Sequence, residues 1–251
     1  MAKLDVPRKL NRSAYLDQAE HRRSARVLLA LVADAAGRDD LSAVDLLDVG
    51  CGTKFSEAIV NDDLPIRSYH GADVNRDVIE HLSAHNPDPR FSYHHVPVRN
   101  DLYNPDAPQM GVDTDLGCGD RTFDVITLFS VFTHLPPDDY VVMLRLLRRH
   151  VRPDGVLFFT VFINELTEGG HSYTDKIDRR MGGGRSSFSM AERQAYRDVP
   201  PYLDADPTRP LTYAVYSREH ALELIEGTGW EVVAVHDPIR EAQHQVVCRP
   251  V

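Results

Sequence analysis

One short stretch, Leu46-Leu47-Asp48-Val49-Gly50-Cys51-Gly52-Thr53, constrains this chain more than any other. The apolar run Val44, Leu46, Leu47 and Val49 reads as a buried parallel strand. It closes on an acid and a Gly-x-Gly turn, where the missing Cβ lets the backbone bend tightly and a ligand come close. Three nucleotide-type ligands use such a turn, and the neighbours separate them. A P-loop needs Gly-Lys-Ser/Thr after four spacers, and that pattern is absent. The dinucleotide fingerprint needs a third glycine at position 55, which is Phe55. Asp48 beside the turn would repel a pyrophosphate and suits a cation instead.

S-adenosylmethionine carries two cations, an ammonium and a sulfonium. At these residues the chain resembles the class I S-adenosylmethionine-dependent methyltransferases, whose first motif is much like Asp48 to Thr53. A second acid, Asp73, closes Gly71-Ala72-Asp73 about 20 residues beyond the turn, the spacing of an acid that accepts from ribose hydroxyls. A third match is Phe123-Asp124-Val125-Ile126-Thr127-Leu128-Phe129-Ser130-Val131-Phe132-Thr133-His134-Leu135. It is similar to the fourth-strand motif of the type 11/12 branch, found in bacterial glycan and natural-product pathways. Asn100-Asp101-Leu102-Tyr103-Asn104-Pro105 and Arg152-Pro153-Asp154-Gly155 resemble two further blocks of that branch. The resemblance implies S-adenosylmethionine as cofactor, held by Asp48, Gly50, Cys51, Gly52, Asp73, Val98, Phe129 and Ser130. There are two departures. Lys54 stands where a small residue is usual and is expected to narrow the cofactor mouth. Pro97 stands where an acid usually meets the adenine amine, which shifts that contact toward the backbone near Val98.

The rest of the chain alternates strand and helix patterns, which implies an α/β, doubly wound, mostly parallel sheet. With the resemblance, the expectation is a seven-stranded Rossmann-like methyltransferase sheet with an inserted substrate lid. Helices are expected over 13–36, with Ser13 as N-cap, and over 77–85, from Pro136, and over 217–226. Strands are expected over 91–98, 123–129, 156–162, 231–236 and 244–249, with Arg152 to Gly155 as a turn. The expected organisation is an N-terminal helical segment (1–40), a cofactor-binding core (41–163), an insertion or substrate lid (164–210) and closing core elements (211–251). The lid carries Gly182-Gly183-Gly184 and Pro200-Pro201 with little periodicity. Asp115-Leu116-Gly117-Cys118-Gly119-Asp120 imitates the first motif but lacks a preceding apolar strand, so it reads as loop.

Composition excludes several classes. No apolar run reaches the ~20 residues of a membrane span, and the N-terminus lacks the apolar core of a signal peptide. Cys51, Cys118 and Cys248 have neither metal-ligand nor disulfide spacing, so a reducing cytoplasm is expected. A formal net charge of −10 without a basic cluster argues against nucleic acid. The expected partner is a small-molecule or saccharide acceptor, with a homodimer left open.

Methyl transfer is an in-line displacement in which the protein aligns reactants and excludes water. An alcohol acceptor profits from a base. His134, just past the fourth strand, is the first choice, with Glu165 and His171 of the lid behind it and Tyr173 and Asp175 beside them. His236 and His244 are expected to be structural. No metal is expected, and Asp138 and Asp139 read as first-turn acids of a helix. The sequence reading is therefore an S-adenosylmethionine-dependent O-methyltransferase acting on a sugar or polysaccharide precursor. The alternatives are a natural-product O-, N- or C-methyltransferase and a non-catalytic S-adenosylmethionine-binding or scaffolding protein. A nicotinamide-dependent dehydrogenase is disfavoured by Phe55.

Overall fold

A computed structural model of the chain describes residues 3–10, 18–100, 104–176, 200–205, 211–239 and 242–251. The apolar runs form an open sheet, β1 (Asp45–Val49), β2 (Ser68–Asp73), β3 (Phe91–His95), β4 (Phe123–Leu128) and β5 (Val151–Ile163). These five strands are parallel in the order β3-β2-β1-β4-β5. β6 (Tyr202–Asp204) and β7 (Ala214–Tyr216) form an antiparallel ribbon, and β8 (Trp230–His236) and β9 (His244–Pro250) another. β9 pairs antiparallel with Leu157 to Val161 of β5, which completes the seven-stranded path to β8. The last two residues of β5, Phe162 and Ile163, change partner and pair parallel with Val215 and Tyr216 of β7. Among the described residues the sheet therefore has nine strands, two more than expected.

Side-chain alternation sorts the core into two layers. Leu46, Val125, Phe158 and Val247 face α1 (Gln18–Ala35) and α2 (Lys54–Asn61). Leu47, Ile126, Leu157, Phe159 and Val246 face the other way, against α4 (Pro137–Arg148). Because both faces are covered, the central strands are apolar throughout. α3 (Arg76–His85) is capped by Asn75, whose side chain accepts from Val78 N–H at 3.3 Å. α5 (Arg218–Glu223) is capped in the same way by Ser217. At the amino ends of β1, β4 and β5, away from the glycine turn, Arg67 and Arg152 bridge Asp45 and Asp124. Burial alone would raise the Asp45 carboxyl, but hydrogen bonds from Arg67, Ser68 and Arg152 hold it well below the usual range.

Several sequence expectations change. Arg152 to Gly155 is not a turn before β5. Phe123 pairs with Val151 and Val125 with Val156, so these residues bulge out of a strand that has already begun. Pro153 cannot donate to the ladder, which is why the pairing is interrupted there. β3 ends at His95, before Pro97, and α5 is shorter than the 217–226 pattern suggested. The imitation motif at 115–120 is loop, as expected, and Gly117 closes against the His94 ring, where a Cβ would lie 2.3 Å from Cγ. Part of the expected lid belongs to the sheet, because Tyr202 to Asp204 is β6. The glycine triplet, Ser13 and Asp101 to Tyr103 lie outside the described residues. Among the described residues, no helix is long and apolar enough to cross a membrane.

Trp230 ties the closing ribbon to the core. It is buried against the α4 layer, and its Nε1 donates to the Leu144 carbonyl at 2.9 Å. Trp230→Ala should lower stability by about 3–5 kcal/mol, the cost of a large buried cavity, read as a drop in the urea midpoint without loss of cooperativity.

Candidate active site

The glycine turn is fastened to the end of β2 by three backbone donors. Gly50 and Cys51 N–H both donate to the Ala72 carbonyl, at 2.7 and 3.2 Å. Gly52 N–H donates to Asp73 Oδ2 at 2.8 Å, while Asp73 Oδ1 accepts from Asn75 N–H at 2.8 Å. Gly50 and Gly52 have φ of 71° and 48°, the left-handed region that L side chains avoid. A Cβ on Gly50 would also lie 2.4 Å from Val131 Cγ2. Asp73 therefore has a role that sequence spacing did not suggest, bracing the turn. Each of its oxygens keeps a second lone pair for a ligand.

Asp48, at the end of β1, is 2% exposed. Tyr69 Oη donates to its Oδ2 at 2.6 Å and Thr127 Oγ1 to its Oδ1 at 2.9 Å. Burial pushes the carboxyl up to about 7, the two donors oppose this, and the nearby Asp73 charge adds to it.

Two cavities meet at this turn. The larger, about 470 Å³, is walled by Asp48, the glycine turn and Asp73 on one side and by α1 on the other. The smaller, about 110 Å³, continues past Asp73 toward Val98, Met110, His134 and Met143. Gly50, Asp73 and Ser130 line both. Cys51, Phe129 and Lys54 line the larger cavity, and Val98 the smaller. The Val98 backbone is engaged locally, its N–H with the Val96 carbonyl at 2.9 Å and its carbonyl with Asn104 Nδ2 at 3.3 Å. Ser130, at φ 58°, donates its N–H to Thr160 Oγ1 at 2.9 Å. Thr160 Oγ1 donates to Gln243 Oε1 at 2.6 Å, and Gln243 Nε2 donates to Ser130 Oγ at 2.8 Å. This polar knot joins the carboxyl ends of β4 and β5 to the start of β9.

The three expected catalytic residues are not brought together. His134 closes a short 3-10 turn (Phe132–His134), lines the smaller cavity, and has Nδ1 3.0 Å from the Leu211 carbonyl. Glu165 lines neither cavity. Arg218 grips it from Nε and Nη2, at 3.0 and 2.5 Å, and His244 Nε2 lies 2.8 Å from Oε1. Burial alone would raise Glu165, but His244 and Arg218 hold it down at about 2. Asp237 joins the cluster, whose ligand atoms lie within 4.8 Å of one another, and the Arg218 guanidinium supplies positive charge beside both acids. His171 also lines neither cavity. Asp175 accepts from Thr167 and Ser172, and Tyr173 packs on Phe162. Asp139 is a first-turn acid of α4 and accepts from Gln109 Nε2 at 2.6 Å.

Sequence reasoning missed the contribution of α1. His21, Ser24, Leu28 and Leu31 follow one another at steps of three, four and three and line the larger cavity, while Ala25, Leu29 and Val32 enter the core. The helical period carried that signal, but only the apolar half of it was read. Gln245 of β9 and Gln243, just before that strand, line the cavity in the same way.

The methyltransferase-domain family matches residues 19–235. The chain belongs to that family. It is a class I S-adenosylmethionine-dependent methyltransferase, and S-adenosylmethionine is its cofactor. The fold is similar to magnesium protoporphyrin IX methyltransferase from Synechocystis, solved with bound S-adenosylhomocysteine. The TM-score is 0.55 and the identity 10%, over 98% of this chain and 90% of that one. It is also similar to a Burkholderia thailandensis 1,6-didemethyltoxoflavin N1-methyltransferase with bound acceptor and S-adenosylhomocysteine. There the TM-score is 0.55 and the identity 17%, over 96% and 82% of the two chains. A mitomycin 7-O-methyltransferase matches at TM-score 0.52 and 16% identity, over 94% of this chain and 59% of that one.

The lowered carboxyl of half-buried Glu165 makes its cluster testable by pH. A carboxyl lowered from 4.5 to about 2 in the folded state stabilises it above about 4.5, and that stabilisation is lost as pH falls toward 2. Glu165→Gln should therefore be less stable than the parent at neutral pH, with the gap closing as pH drops through that window. Unfolding midpoints recorded along a pH series check this.

Proposed function

We propose that this methyltransferase transfers a methyl group to a hydroxyl of a small molecule with an apolar body. The observation that carries the proposal is the composition of the larger cavity. Two buried carboxylates, Asp48 and Asp73, stand on one wall. Val27, Leu28 and Leu31 of α1, with Phe129 and Ile239, stand around the rest. The acidic wall suits the cationic end of S-adenosylmethionine, and the chemistry it supplies is a methyl group activated on sulfonium. Asp48 faces the charge, Asp73 takes the ribose hydroxyls, and the cradle at Gly50, Cys51 and Gly52 lets the cofactor lie close. Val98 borders the adenine side, and Phe129 and Ser130 form the floor.

The apolar wall supports the natural-product acceptor over the saccharide. Val27 and Ile239 are 39% and 51% exposed at the cavity rim, an arrangement that favours a hydrophobic ligand rather than a polyol. A saccharide draws support from the polar lining, Glu20, Ser24, Lys176, Gln243 and Gln245. His134 is assigned to the adenosine side, where its bond to the Leu211 carbonyl holds the turn after β4, and Glu165 to a structural ion cluster. His171, outside both cavities, takes no part in this reading.

Methyl transfer from labelled S-adenosylmethionine to a panel of phenols and sugars tests the acceptor class. Label should enter phenolic hydroxyls, and transfer to sugars alone would reverse the choice. A second outcome concerns the cofactor. Burial holds Asp48 near 7, and a bound cation favours its ionised form. Binding should therefore release a proton below that pH. Affinity should rise up to about tenfold per pH unit until about 7 and then level off. Calorimetry across about pH 5 to 8 reads the slope, and Asp48→Asn should flatten it.

A further inference from the structure

We propose that His21, from the amino-terminal helix, takes the proton of the acceptor hydroxyl during methyl transfer. The proposal rests on the hydroxyl-acceptor reading above and adds a residue that neither the motifs nor the fold resemblance assigns.

Three observations carry it. First, His21 is 2% exposed, and neither ring nitrogen has a hydrogen-bond partner among the described residues. A buried imidazole in that condition costs about 1–3 kcal/mol in lost hydration, so its partner is expected from a ligand. The Glu57 carboxylate of α2 has Oε2 3.9 Å from Nε2, beyond hydrogen-bond distance. Second, His21 lines the larger cavity from α1, in one stripe with Ser24, Leu28 and Leu31, and Asp48 and Asp73 line the same cavity. That stripe is the wall an apolar acceptor would lie against. Third, its protonation state suits a proton acceptor. Burial, then Lys54 and Arg22, lower the imidazole to about 4, so it is neutral and holds a lone pair at working pH. The charged groups that face it are Lys54 and Glu57 from α2 and Arg22 from α1 itself.

The step balances. The acceptor oxygen forms the new C–O bond as the C–S bond breaks, and the C–S electron pair stays on sulfur as a neutral thioether. The hydroxyl proton passes to a ring nitrogen of His21, which returns it to solvent. A weakly basic imidazole suffices, because an oxygen that is gaining a methyl group becomes strongly acidic.

The test uses the full-length protein, His21→Gln and His21→Ala, with a series of substituted phenols of increasing acidity. Thermal melting and calorimetric titration with S-adenosylmethionine come first. Both variants should fold and bind the cofactor within about threefold of the parent, since among the described residues the ring has no hydrogen-bond partner to lose. Turnover at saturating acceptor should fall by about 10²–10⁴-fold, the usual contribution of a positioned base. The loss should shrink steadily as the phenol becomes more acidic, because a phenolate needs no base. A structural histidine would not produce that dependence. An imidazole proton resonance titrating near 4 in the parent and missing in both variants gives a readout independent of turnover. Near-parental turnover in His21→Gln overturns the proposal. So does a tenfold or greater loss of cofactor affinity with unchanged turnover, which would place His21 on the cofactor. If the parent binds the cofactor yet methylates no hydroxyl, the acceptor reading fails and the proposal falls with it.

Discussion

The site depends on how the glycine turn is anchored to the neighbouring strand. Gly50 and Cys51 donate to one carbonyl, that of Ala72, and Gly52 donates to the Asp73 carboxylate. The turn is thus held from β2 rather than from its own strand. Parallel pairing of Asp48 with Gly71 and Val49 with Ala72 brings the acceptors into place. Glycine is required at 50 and 52 because φ is positive at both, and at 50 because Val131 leaves no room for a Cβ. Asp73 braces the turn and lines both cavities, so its substitution would disturb the cradle as well as the cavity wall.

Two carboxylates in this molecule, the half-buried Glu165 and the buried Asp48, are treated in opposite ways. Glu165 is satisfied from within, by Arg218 and by His244, and stays ionised far below neutrality. Among the described residues, Asp48 receives hydroxyl donors from Tyr69 and Thr127 and faces another acid, Asp73. Burial, and after it the Asp73 charge, raises it toward 7. An acid arranged in this way is complementary to a cationic ligand in a manner that a salt-bridged acid is not. The two buried histidines differ in their surroundings: His244 Nε2 lies 2.8 Å from Glu165, whereas His21 Nε2 lies 3.9 Å from Glu57 and the ring lines the larger cavity.

Strain and polarity gather where the strands end. Ser130 holds a left-handed backbone, and its amide, Thr160 and Gln243 form a closed polar knot across three strands. Such strain persists where the surroundings over-determine it. Here they do so with hydrogen bonds from β5 and β9 that fix the floor shared by both cavities.

Much of this was legible in the sequence. The apolar run ending in Asp48-Val49-Gly50-Cys51-Gly52 and the acid at 73 identified the fold and the cofactor, because local backbone geometry and charge leave few other solutions. The parallel core strands and their helices followed from hydrophobic period. What failed depended on partners distant in sequence. The Arg152 to Gly155 bulge arises from register with β4, and the β6–β7 ribbon from the way β5 outruns β9. Glu165 looked available for chemistry until Arg218 and His244, more than fifty residues away, were found beside it. His21 looked like one more helix residue until the fold set its stripe against the cavity. A linear sequence determines local conformation and charge, so it determined the fold class, the glycine cradle and the cofactor. Which polar groups are paired and which are left for a ligand depends on contacts across the whole chain, and only the tertiary structure decided that.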